Sequence, residues 1–215
     1  MDSTDDTVEP ALSPAAQREW EEHLEHVLRG VGHALNNRAA SVSAVMELSF
    51  EPDQGGVPTR ALLAAEVQRL RELAEVVRTV GLPRGAAEAF VPAEAASAAR
   101  VVLSLHAELR ERAIVIDATG APPVRGRKWL LVRALVSLAA DASARHSGAP
   151  VAITMREDGP WLTVAVNVDT GAAPPAARAS SYVRDAAAAL GGEPLPAALG
   201  FRMPTLAEFR RREGR

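Results

Sequence analysis

One stretch, residues 14 to 49, constrains this chain more than any other. Its apolar side chains Leu24, Val27, Leu28, Val31, Leu35, Val42, Val45 and Met46 recur at helical spacing. Ser13-Pro14 supplies a capping serine and a first-turn proline at its start. A helix of about 35 residues is roughly 50 Å long at 1.5 Å per residue. Glu51-Pro52-Asp53-Gln54-Gly55-Gly56 breaks the pattern. A second helix is expected over 58 to 80, with Leu63, Val67, Leu70, Leu73, Val77 and Val80 as its stripe, ended by Gly81-Leu82-Pro83. Two helices joined by a short turn form an antiparallel hairpin. A lone hairpin buries too little for stripes this wide, so two subunits are expected to complete a four-helix bundle as a homodimer.

The sequence Gly-Val-Gly-His-Ala-Leu-Asn-Asn, residues 30 to 37, lies in the middle of the first helix. At about 100° per residue His33 falls roughly half a turn away from the Leu24 stripe, so the buried face does not claim it. Asn37, four residues on, projects from the same exposed side. A solvent-facing imidazole beside an amide on a stiff helix is the strongest chemical lead in the chain.

Composition narrows what that lead can serve. A chain of 215 residues with 47% hydrophobic and 24% charged residues is long enough for one large domain or two modest ones. Its formal net charge of -3 and its 4% aromatic content argue against nucleic acid as the main partner. It has no cysteine, which excludes disulfides, thiol catalysis and cysteine zinc sites. His23 and His26 lack the spacing and companions of a metal site, and His106 and His146 read as structural. Neither a nucleophile elbow nor a zinc motif occurs. The N-terminal ten residues are acidic, the opposite of a signal peptide. The most apolar run, 129 to 142, contains Arg133 and Asp141 and is too short to span a bilayer. A cytoplasmic protein without membrane contact is the expectation.

Beyond the hairpin the rhythm changes. Residues 92 to 112 read as a helix, 113 to 117 as a strand and 124 to 145 as a second, apolar helix. Residues 151 to 155 and 161 to 168 read as a strand pair around Asp158-Gly159-Pro160. A short helix over 181 to 190 and a last strand at 200 to 204 follow. The fold class is therefore α+β, a helical hairpin followed by a two-layer α/β sandwich. The expected divisions are a disordered acidic tail (1–13), the hairpin (14–82), a linker (83–91), the sandwich (92–207) and a charged tail (208–215).

This order, with His33-Ala34-Leu35-Asn36-Asn37, resembles the core of a two-component histidine kinase over about residues 14 to 206. That family pairs a dimerisation and histidine-phosphotransfer hairpin with an ATP-binding α/β sandwich, and its phosphoacceptor box places Asn or Thr four residues past the histidine. The departures fall on the ATP machinery. Ala34 stands where the kinases usually carry an acid that primes the imidazole. Where an asparagine should hold the nucleotide's Mg²⁺, Ser137 and Asp141 stand. Asp169-Thr170-Gly171 keeps the Asp-x-Gly of the adenine box. The lid that follows has two prolines and no glycine up to Leu190, a poor cradle for phosphates.

The combination resembles dimeric, kinase-derived histidine phosphotransferases, which relay phosphate between receiver domains without ATP. The resemblance implies His33 as phosphoacceptor and receiver domains of response regulators as partners. It also implies Mg²⁺ bound by the receiver and no cofactor or metal bound by this chain, with Asp141, Asp169 and Gly171 as relics of the nucleotide site. Asn37 either orients a water for dephosphorylation or is a plain surface amide. Arg29 and Arg38 either steer an acidic receiver or are ordinary solvated charges. Asn36 either packs and hydrogen-bonds between helices or joins Ser41 on the expected partner surface, with Gly30 and Gly32, whose bare backbone would let a partner approach. The alternatives are a divergent soluble histidine kinase and a non-catalytic, receiver-binding scaffold.

Overall fold

The computed structural model describes residues 12–48, 59–81, 86–146, 149–168 and 179–214. It opens with two long helices, α1 (Pro14–Leu48) and α2 (Thr59–Gly81). They pack as an antiparallel hairpin: midway, Arg38 on α1 faces Glu66 on α2 at 3.5 Å. Next come β1 (Glu88–Phe90), α3 (Pro92–Leu105), β2 (Ile114–Asp117), β3 (Val124–Gly126) and α4 (Lys128–Arg145). The chain continues through β4 (Val151–Asp158), β5 (Trp161–Val168), α5 (Ser181–Ala189), β6 (Glu193–Pro194), β7 (Gly200–Pro204) and α6 (Leu206–Glu213).

Five strands form one mixed sheet in the order β2-β4-β5-β7-β6, with β2 parallel to β4 and the other pairs antiparallel. Side chains alternate between the faces of a strand. Accordingly Val151, Ile153 and Met155 on β4 and Leu162 and Val164 on β5 are buried, under a layer of α3, α4 and α5. Helix α4 is apolar on nearly every side because it is the middle of that layer, with residues 129 to 139 all buried. Among the described residues no helix is long and apolar enough to cross a membrane.

Four expectations change. The linker 83–91 contributes β1, which pairs antiparallel with β3. Residues 124 to 126 are β3, so the apolar helix begins at Lys128. Helix α3 stops at Leu105 rather than 112, because His106 turns to an extended conformation and the Ala107 N–H is drawn to the His26 carbonyl on α1 at 3.2 Å. The tail from 208 is largely helix: Thr205 caps α6 by accepting the Glu208 N–H at 3.3 Å, and buried Glu208 holds Arg211 and Arg212. Residues 1–11 and 169–178, with the relic positions Asp169 and Gly171, lie outside the described residues.

The hairpin is not a separate lobe. Its first helix lies against α3, α4 and α5 through Ala16, Trp20, Val27, Gly30 and Val31, all buried. Beyond Val31 no described side chain of α1 is fully buried. A docked half and a projecting half thus meet at Gly30 and Val31.

Candidate functional site

Arg133 pins the docked half. It is 5% exposed, its guanidinium stacks on Trp20 at 4.6 Å and on Trp129 at 4.8 Å, and its Nη2 donates to the Val80 carbonyl at 2.6 Å. One cation therefore ties α1, the end of α2 and α4 together. An arginine inside an otherwise apolar helix was the available signal, since a buried charge requires partners. Gly30 completes the dock: a Cβ there would collide with the Leu105 carbonyl. The glycine serves this close intramolecular approach, which corrects its assignment to a partner surface. Gly32, by contrast, is exposed with nothing near its Cβ position.

His33 stands on the first turn past the dock. Its side chain is exposed and makes no hydrogen bond or ion pair among the described residues, on a helix clamped to the sandwich one turn earlier. Asn36 and Asn37 are exposed beside it. Ser41 Oγ donates to the Asn37 carbonyl at 3.0 Å. Arg29 is exposed and pairs with Glu25 at 2.8 Å. Arg38 is half-buried and engaged across the hairpin by Glu66, a 7% exposed carboxylate that Arg69 also holds at 2.5 Å. His33, Asn36, Asn37, Gly32 and Arg29 thus form one open face. Gly30 belongs to the dock and Arg38 to the hairpin seam.

The second feature is the N-terminus of α5, just after the proline-containing stretch that stands where a glycine-rich nucleotide lid would be. A helix start presents free N–H groups and partial positive charge, a ready place for a phosphate. Here the chain fills it itself. Glu19, from the docked half of α1, accepts the Tyr182 N–H at 3.1 Å, and Asp141 on α4 accepts the Ser180 N–H at 3.1 Å. Ser180 Oγ takes the Val183 N–H at 3.4 Å. One turn along, Asp185 accepts the Ser13 N–H at 2.7 Å. Burial raises the Asp141 pKa and the nearby Glu19 carboxylate raises it further, while the Ser180 N–H opposes them. Glu19, Trp20, Arg133 and Tyr182 were all missed from the sequence because they converge only through tertiary packing.

Three imidazoles meet beneath the dock. His106, 1% exposed, stacks on His26 at 5.0 Å and lies 5.7 Å from His23. Burial lowers the His106 pKa to about 4, with His23 and His26 adding to the effect. Burial also lowers that of His23, against the pull of Glu19. Among the described residues no three histidines or carboxylates are arranged to hold a metal ion.

No protein-family model and no curated protein matches this sequence. Solved structures with a similar chain course include the histidine kinase AdeS of Acinetobacter baumannii, 15% identical, covering 81% of this chain and 98% of that one at a TM-score of 0.39. A bacterial phosphotransferase, 13% identical, covers 90% of this chain and 97% of its own at 0.37. A histidine kinase from Burkholderia phymatum, 16% identical, covers 90% and 98% at 0.37.

Proposed function

We propose that this chain is a histidine phosphotransfer protein that works without ATP. His33 takes a phosphoryl group from the aspartyl phosphate of one receiver domain and passes it to the aspartate of another. The lone pair of a neutral imidazole nitrogen forms the P–N bond as the P–O bond to aspartate breaks, and the aspartate leaves as a carboxylate. Such transfer rests on positioning and electrostatics, and the receiver brings Mg²⁺ and its own aspartate. This chain contributes an open imidazole on a helix braced by the Gly30 dock.

The observation that carries the ATP-independent reading is the filled N-terminus of α5. Glu19 and Asp141 occupy the N–H groups that an anion would need, and their charges would repel a triphosphate. Homodimerisation is part of the proposal. Leu28, Leu35, Met46, Leu62 and Val67 on the hairpin are 43–50% exposed in the single chain, an apolar surface suited to a second hairpin.

The test is a pair of labelling reactions. With γ-labelled ATP and Mg²⁺ the protein is expected to stay unlabelled. With receiver domains phosphorylated by acetyl phosphate it is expected to take label, and His33→Ala to abolish that. Label from ATP on His33 would make the chain a kinase, and label surviving His33→Ala would remove the phosphoacceptor. Sedimentation should show a dimer that Leu35→Asp weakens.

A further inference from the structure

The histidine cluster borders a cavity that the phosphotransfer reading leaves unused. It has a volume of about 350 Å³ and lies between the docked half of α1, the turn after α3 and α4. Its lining includes Glu19, Glu22, His23, His26, His106 and Asp141, with Glu108, Arg112 and Ser143 completing the polar groups. This is the size of a small-molecule site. Four carboxylates share this lining with the single guanidinium of Arg112, so acidic groups outnumber fixed cations around the cavity.

Its polar atoms are also unmet. His106 Nε2, His26 Nδ1, Glu19 Oε1 and Ser143 Oγ are all buried without a hydrogen-bond partner among the described residues. Folded proteins leave few such groups, and these four belong to residues that line the cavity. Their roles can be assigned. His106 Nδ1 accepts the Glu108 N–H at 3.4 Å, which leaves the proton on Nε2 as a donor. His26 Nε2 lies 3.6 Å from a Glu108 carboxylate oxygen. Ser143 can act either way. The cavity therefore offers acceptors and negative charge, with one fixed donor. It suits a molecule carrying a positive charge, several N–H groups and an acceptor. Because no three described histidines or carboxylates are disposed as metal ligands, the charge belongs to an organic group.

We propose that this cavity binds a small organic ammonium cation that also carries a hydroxyl, its charge held by the carboxylates of Glu19, Glu22 and Asp141 and its hydroxyl oxygen accepting from His106. The site goes beyond phosphotransfer and is tested without it. Calorimetric titration of the full chain is run with the amino alcohols 4-amino-1-butanol and ethanolamine. Neutral 1,4-butanediol, anionic succinate and Zn²⁺ are run alongside. Saturable one-to-one binding of at least one amine is expected, with butanediol and succinate silent. Affinity should fall about tenfold in Asp141→Asn and in Glu22→Gln, as removal of one charge-assisted contact implies. Glu157→Gln, at the exposed end of β4, should leave it unchanged. Glu22 is exposed, so its variant keeps the test sound if Asp141→Asn fails to fold. The proposal is overturned if no amine saturates, if butanediol binds as well as its amine, if Zn²⁺ alone binds, or if Glu22→Gln changes nothing.

Discussion

Gly30 and Gly32 sit two residues apart on one helix, yet opposite outcomes are expected when each gains a methyl group. In an exposed helix, glycine to alanine is worth roughly 0.5–1 kcal/mol of stability. Gly32→Ala should show that gain, because nothing lies near its Cβ position. Gly30→Ala should instead lose about 1–3 kcal/mol, the usual cost of overpacking, because the new Cβ meets the Leu105 backbone carbonyl. Urea unfolding of both variants measures the contrast. The outward placement of His33 was legible in the sequence because the Leu24, Val27 and Val31 stripe fixes which face is buried. The role of Gly30 was not, because the group it must avoid is contributed by a helix far along the chain.

At the scale of elements, long periodic segments were the legible ones and short or tertiary-determined ones were not. The hairpin, β4 and β5 announce themselves through helical or alternating patterns. Three-residue β1 and β3 contain too little sequence to show a period, and only their pairing with each other defines them. Helix α3 ends where α1 crosses it, a tertiary event. Helix α6 did leave a trace, since Thr205-Leu206-Ala207-Glu208 is a capping-box pattern. Arg133 is the clearest element-scale test. Arg133→Leu removes the bond to the Val80 carbonyl and both aromatic stacks, leaving that carbonyl short of a donor. A loss of about 2–4 kcal/mol is expected by urea unfolding. Exchange of amide hydrogens along the docked half of α1 should speed up more than along β4 or β5, because the pin holds the helix and not the sheet.

Across the whole molecule, hairpin and sandwich are packed around His106 and His23, whose burial makes protonation unfavourable in the folded chain. His106 meets His23 and His26 across the joint between α1 and the end of α3, with Glu19, Glu22, Glu108, Arg112 and Asp141 around them. Burial depresses the folded-state pKa of His106 from 6.5 to about 4 and lowers that of His23. The unfolded chain therefore binds these protons more readily than the folded one. This contribution to stability is complete above the unfolded value of about 6.5 and is lost as pH falls toward the folded one. Each fully titrating group sets a slope of at most about 1.4 kcal/mol per pH unit in that window. Asp141 acts in the opposite sense, since its raised pKa makes the folded state the better proton acceptor, but it does so nearer the carboxylate range. Between pH 7 and 5 the histidines should dominate, and urea midpoints should fall steadily with acidification. Substituting His106 with glutamine, which takes up no proton in this range, should flatten that slope. A slope as steep in His106→Gln as in the parent would mean that other groups drive the acid sensitivity of the joint.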